Sequence, residues 1–283
     1  LSGGVDSAVA AWLLQRQGFD VRAVFMKNWS ENDFGGPCPW AEDQASAVAV
    51  AAHLGIPLET WNFEREYRDR VFDAMIHEYN AGRTPNPDVM CNKEIKFKML
   101  YNWAMAHGFD YMATGHYAQV APAKTSKTAK AVDNLKQGSV AQLKGSQKIK
   151  MKTGEAFNLI RSTDDFKDQT YFIYNILQSQ LPHLVFPIGS MKKPAVKALA
   201  KKIKLPNATK KESMGLCFVG QIRLKDFLEQ KLKIKSGPIV NLHGSKKDEI
   251  IEQYSKNLFE TPTTKVIKRY DGVAFDYLEY EKL

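Results

Sequence analysis

The sequence predicts an α/β fold: a doubly wound parallel sheet with helices on both faces, followed by the start of a small second domain. Three observations carry this. Over the first 115 residues, apolar runs of strand length alternate with amphipathic runs of helix length. Glycines 18, 55, 82 and 108 stand where the helical runs stop. Three short stretches, at residues 3–7, 26–29 and 115–117, follow strand positions, where an open α/β sheet takes its ligand.

In chain order, the pattern predicts a helix over 7–17, a strand over 21–26 and a polar Gly/Pro loop over 28–39. A helix over 40–54, a strand over 58–63 and a helix over 64–80 follow. Residues 84–92 read as a loop stiffened by Pro85 and Pro87, residues 94–107 as a helix, and 111–114 as a short strand. Residues 122–152 are rich in Lys, Ala, Ser, Thr, Gln and Gly, without clear period, and read as a flexible basic insertion. Structure resumes at 157–161, with helices expected over 169–177, 194–204 and 223–233. A strand is expected ahead of Leu1, because a loop of the kind at residues 2–7 follows one.

That loop reads Ser2-Gly3-Gly4-Val5-Asp6-Ser7. Adjacent glycines let the backbone turn tightly and approach a ligand. Asp6 and Ser7 sit at the expected start of a helix, whose free N–H groups and positive dipole suit pyrophosphate. A capped helix after a glycine turn is the plainer reading of the first three residues. The hexapeptide resembles the PP-loop of ATP pyrophosphatases, and no Gly-Lys-Ser/Thr marks a Walker loop.

A second stretch runs Asn86-Pro87-Asp88-Val-Met-Cys91-Asn-Lys93. A carboxylate close to a thiol, with Lys93, Lys96 and Lys98 nearby to favour thiolate, suits nucleophilic or general-base work. A buried cysteine beside a helix-capping Asn92 is the competing reading. The third stretch is Ser213-Met-Gly-Leu-Cys217-Phe-Val-Gly220, which alone looks like a core cysteine in small and apolar company. The chain has three cysteines, Cys38 included, and their spacing offers no four-Cys zinc or iron–sulfur site and no secreted disulfide scaffold. No metal ligands are assigned.

Taken together, the three stretches resemble the bacterial and mitochondrial tRNA-specific 2-thiouridylases, members of the PP-loop (adenine-nucleotide α-hydrolase) superfamily. Further matches are Phe25-Met-Lys-Asn-Trp29, Ala81-Gly-Arg-Thr-Pro85, Lys93-Glu-Ile-Lys-Phe97, Thr114-Gly-His-Tyr117 and Lys167-Asp-Gln-x-Tyr-Phe172. The resemblance implies that ATP lies on residues 2–7 with Met26 and Gly115 near the adenosine, and that Mg2+ accompanies it. It implies a wobble uridine flipped in beside Asn86, Pro87 and Asp88, with its 2-carbonyl oxygen adenylated. Cys217 would carry a persulfide from a sulfur-relay protein, and Cys91 would be its partner thiol, able to form a disulfide with it. Asp88 is the candidate acid/base. Lys167, Asp168 and Gln169 would touch tRNA, with His116 beside them.

The net charge of +9 is uneven: residues 1–120 carry −5 and residues 121–283 carry +14. A basic half suggests a polyanionic partner, with tRNA the natural candidate. A solvated Lys-rich surface is the alternative. No apolar run approaches the roughly 18 residues of a membrane span, so a cytoplasmic protein is expected, or a mitochondrial one if the source is eukaryotic. The domain reading is a PP-loop catalytic domain over 1–220, the start of a central tRNA-binding domain over 221–245, and a divergent or truncated tail over 246–283. That tail shows neither the Thr-x-Gly-Gln-Arg segment nor the C-terminal β-barrel of the family. Two other functions stay open: a PP-loop ligase with a small-molecule substrate, and a non-catalytic RNA-binding remnant.

Overall fold

The computed structural model describes residues 1–29, 39–123 and 156–211, Leu228 and Leu232, and the backbone of Val266–Tyr270 and Val273–Asp276. Helix α1 (Val5–Arg16) follows the glycine turn and buries Val5, Ala8, Val9 and Leu14. Strand β1 (Ala23–Lys27) pairs in parallel with β2 (Leu58–Asn62), and α2 (Pro39–Leu54) joins them. The connection is the helical crossover that parallel neighbours require.

Next come α3 (Glu64–Tyr67), a π-helical turn (Arg68–Phe72) and α4 (Asp73–Asn80), which together fill the stretch expected as one helix. Helix α5 (Pro87–Cys91) runs through a π-helical segment (Asn92–Leu100) into α6 (Tyr101–Ala106). This corrects the expected loop at 84–92. Pro87 occupies the first helical position, where its missing N–H costs nothing, and the Asn86 side chain accepts from the backbone N–H groups of Asp88 and Val89 at 3.1 and 3.2 Å. Asp88 and Cys91 therefore lie on a helix, not a loop.

Strand β3 (Met112–Ala113) pairs in parallel with β6 (Leu184–Val185), and β4 (Ala118–Pro122) pairs antiparallel with β5 (Phe157–Arg161). The helix expected over 169–177 is reduced to a 3-10 turn at Thr170–Ile173, with another at Leu181–His183. Helix α7 (Lys193–Lys202) packs on α1, where Val196 and Ala200 meet Val9 and Tyr117 in one buried cluster. Strands β7 (Val266–Tyr270) and β8 (Val273–Asp276) form an antiparallel hairpin. Of the helix expected over 223–233, only Leu228 and Leu232 are described, joined by a 2.8 Å bond from the Leu232 N–H to the Leu228 carbonyl. The basic insertion expected over 122–152 lies outside the described residues apart from its first two positions.

Among the described residues the strands form four two-stranded sheets, so the α/β character holds while one continuous sheet is not seen. The β1–β2 pair and the β3–β6 pair flank a single cavity of about 1250 Å³, into which Val24, Met112 and the Ala11 face of α1 project. A second core, below Met26 and Trp29, packs Tyr67, Val71, Met75, Cys91 and Ile95.

Candidate active site

The tight turn of the glycine pair falls at Gly3. Gly3 has φ +76°, and a Cβ there would lie 2.3 Å from the Asp43 carbonyl oxygen, so no side chain fits. The turn is tied down on its outer side: the Gly3 carbonyl accepts from Ser46 Oγ at 2.8 Å and from the buried Asn207 Nδ2 at 2.9 Å. Ser2 and Ser7 close it by an Oγ–Oγ contact of 3.1 Å, and Ser7 Oγ donates to the Gly4 carbonyl. No side chain caps α1, and Ser2, Gly4, Val5, Asp6 and Ser7 at its N-terminal end line the cavity. Gly115 comes in from the end of β3; a Cβ there would lie 2.7 Å from the Ser7 nitrogen. Two backbones thus meet at van der Waals contact where an anion would bind.

Asp6 is held by residues far away in sequence. Lys193 Nζ donates to both of its carboxylate oxygens, at 2.8 and 2.7 Å, and the Tyr117 hydroxyl donates to Oδ1 at 2.9 Å. The Lys193 ammonium also lies 5.7 Å from the centroid of the Tyr117 ring. Its backbone N–H donates to Asp164 at 2.7 Å. That bond is the main reason the Asp164 carboxyl titrates below its ordinary range, against the opposing effect of burial. Neither Lys193 nor Asp164 was expected from sequence. The available signal was a lysine opening a helix that has no acid in its first turn, against the helix dipole.

Met26, Gly115, His116, Gln169 and Lys193 line the same cavity as Ser2, Gly4, Val5, Asp6 and Ser7. The His116 imidazole is buried and pairs through Nδ1 with Thr114 Oγ1 at 2.7 Å. Burial, and secondarily the Lys96 charge, hold its pKa well below the usual value, so the ring is neutral at physiological pH. Gln169 is clamped to Tyr117 both ways: its N–H donates to the Tyr117 carbonyl and its Oε1 accepts from the Tyr117 N–H, each at 2.9 Å. Asp168 accepts from Ser162 N–H at 2.7 Å and from Thr170 Oγ1 at 2.6 Å. Both side chains brace the loop, and Phe166, Tyr171 and Tyr174 beside them are exposed.

Cys91 is fully buried. Burial pushes its thiol up from the usual 9.0 to about 11, outweighing the opposite pull of Lys96. This corrects the expectation of a lysine-favoured thiolate in this conformation. The Asn28 amide approaches its Sγ at 4.0 Å, and Asn92 donates to the Phe172 carbonyl at 3.0 Å. Three polar atoms near this thiol, Asn28 Oδ1, Trp29 Nε1 and Asn92 Oδ1, are buried without a hydrogen-bond partner among the described residues. Cys217 and Cys38 lie outside the described residues.

A nucleotide fits the cavity: its volume, the two side-chain-free approaches at Gly3 and Gly115, and the uncapped α1 all suit a triphosphate. Among the described residues no group of three or more His, Cys, Asp or Glu could hold a metal ion. None of their helices is long and apolar enough to cross a membrane.

The family model of the tRNA methyl transferase HUP domain matches residues 1–221. A tRNA-specific 2-thiouridylase of Bacillus cytotoxicus is 45% identical over 247 residues, covering 87% of this chain and 58% of its own length. Those of Streptococcus mutans and Flavobacterium johnsoniae are 46% and 44% identical over 244 residues, covering 86% of this chain and 58% and 55% of theirs. The chain thus spans somewhat more than half the length of these relatives.

Proposed function

Because the chain belongs to the family of the tRNA methyl transferase HUP domain, we propose that it is an ATP-dependent tRNA-uridine 2-sulfurtransferase. The observation that carries this reading is the meeting of residues 2–7, Gly115 and Lys193 in one cavity that also holds Met26, His116 and Gln169. The family's name speaks of methyl transfer, whereas the relatives at about 45% identity are thiouridylases. A glycine-lined anion cradle serves cleavage of a triphosphate, and we follow the relatives.

In this reading ATP supplies the adenylyl group and pyrophosphate as the leaving group. Residues 2–7 and the α1 amides bind its phosphates, while Met26 and Gly115 bound the adenosine. Mg2+ would offset the phosphate charge, and Asp6, whose two oxygens are paired with Lys193, is the carboxylate of residues 2–7 that would hold it. Asn86, Pro87 and Asp88 receive the target uridine, and the neutral His116 ring lines the nucleotide cavity without adding charge. Lys167, Asp168 and Gln169 form the loop that meets tRNA, with the exposed Phe166, Tyr171 and Tyr174 available for stacking. Cys217 carries the persulfide delivered by a sulfur-relay protein, and Cys91 is its partner thiol. The two parallel strand pairs belong to one doubly wound sheet over 1–220, and a central tRNA-binding domain begins at 221. A cytoplasmic or organellar matrix location follows from the substrate.

The test is tRNA-dependent pyrophosphate release by the full chain, with mass spectrometry of the digested tRNA. Release that needs tRNA, together with 2-thiouridine, supports the reading. Release stimulated by a small molecule and not by tRNA favours the ligase. Binding of tRNA without release leaves an RNA-binding remnant.

A further inference from the structure

Asn28 is a polar residue in a place that suits an apolar one. It follows the last residue of β1 and is almost completely buried. The core beside it, which Cys91 shares with Met26, Trp29, Val71 and Ile95, is largely apolar. An amide buried there costs more than an apolar side chain unless its polar atoms are paired. Yet Asn28 Oδ1 has no partner among the described residues, and the one hydrogen bond of the side chain among them runs from Nδ2 to Cys91 Sγ at 4.0 Å. The residues on either side hold the amide in place. Lys27 is paired with Glu64 at 2.9 Å, and its carbonyl accepts from the Phe63 N–H at 2.8 Å. Trp29 packs edge-on against Tyr67, with 6.2 Å between ring centroids. A donor fixed against a neutral thiol gains little. Against a thiolate the same N–H makes a charge-assisted bond, shorter and about twice as strong.

We propose that Asn28 is the donor that holds Cys91 Sγ and stabilises it as a thiolate. The proposal rests on the reading of Cys91 as a thiol of the sulfur-transfer site. When the sulfur ionises, its proton passes to water or a buffer base, the electron pair stays on Sγ, and the Asn28 amide shortens its bond to the anion. The charges that act on Sγ oppose one another and make no hydrogen bond to it among the described residues: Lys96 favours the thiolate and Asp88 the thiol. The Arg68 guanidinium lies over the Trp29 ring, 5.5 Å from its centroid, and Tyr67 and Tyr79 are the phenols of the same core. Burial holds the resting thiol at about 11, so a donor that lowers the cost of ionisation acts where that cost is high.

The experiment is alkylation of the full chain by iodoacetamide from about pH 7 to 10, for wild type, N28L and N28D. The rate at Cys91 is read by peptide mass spectrometry, with Cys38 in the same digest as the reference, and thermal melts check that each variant is folded. Leu keeps the branched outline of Asn and removes the donor; Asp keeps its shape and sets a carboxylate against the sulfur. Both variants slow alkylation of Cys91 by about 10- to 100-fold across the range, the worth of a hydrogen bond to a charged group. Looser packing acts with the opposite sign, because an uncovered thiol reacts faster. An equal or faster rate in a folded variant would make Asn28 a packing residue and overturn the proposal. Should N28L fail to fold, N28D carries the measurement. Slower alkylation in the Asn28 variants together with normal 2-thiouridine formation by Cys91→Ala upholds the Asn28 contact and removes Cys91 from the sulfur chemistry.

Discussion

Around Asp6, the side chains satisfy one another: Lys193, Tyr117, Ser2 and Ser7 all have short partners, and the turn they hold is fixed by Ser46 and by Asn207 Nδ2, with Asn207 Oδ1 left unpaired among the described residues. Around Cys91 the reverse holds. The thiol is buried and neutral, and Asn28, Trp29 and Asn92 each leave a polar atom unpaired among the described residues. The first arrangement is preorganised and costs little to use. The second carries desolvated groups, each unfavourable by about 1–3 kcal/mol until it finds a partner. On the proposed function, activating the base would need little rearrangement of the phosphate end, whereas sulfur chemistry at Cys91 would require the thiol to be uncovered first.

The largest effect is expected at the preorganised end. Asp6→Asn removes the carboxylate that Lys193 and Tyr117 share, and pyrophosphate release should fall about 100-fold or more. Circular dichroism checks that the variant is folded. A folded variant releasing pyrophosphate near the wild-type rate would show that the Asp6 network is not part of activation.

A smaller effect is expected at Gly115. Its missing Cβ faces the Ser7 backbone at 2.7 Å, and backbone cannot swing aside as a side chain does. Gly115→Ala should destabilise the fold by about 1–3 kcal/mol and weaken ATP binding, read by thermal melts with and without nucleotide. An unchanged melting temperature and an unchanged nucleotide-induced shift would mean the two backbones are not in contact.

The effect expected at the thiol end depends on pH. Because the folded-state pKa of Cys91 is raised, its contribution to stability is complete below about 9 and is lost as pH rises toward about 11. The loss should reach about 3 kcal/mol at most across that window, and Cys91→Ala should lack this part of the slope. Denaturant titrations of both proteins from pH 8 to 11 measure it. Identical slopes would place Cys91 in water and erase the contrast between the two ends.

Local signals made the phosphate end legible. The turn at Gly3 and the helix after it need only neighbouring residues, and the short strand leading to Gly115 is punctuated by its own glycines. Residue pairs distant in sequence were not legible: Lys193 meets Asp6 across 187 positions, and no periodicity announces that. Pro87 misled by its usual meaning. It reads as a breaker inside a loop, yet with Asn86 as its cap it starts a helix and carries Cys91 inward. The burial of Cys91 followed from packing by Met26, Trp29, Tyr67 and Ile95, which the nearby lysines in the sequence concealed. Gln169 and Asp168 were picked out by motif, but their bracing of Tyr117 and Ser162 appears only in three dimensions.

The separation of the two ends is tested most directly by Cys217→Ser, assayed with tRNA, ATP and a persulfide donor for both products at once. The account predicts pyrophosphate release close to the wild-type rate and no 2-thiouridine in the digested tRNA. Normal 2-thiouridine formation by this variant would contradict it.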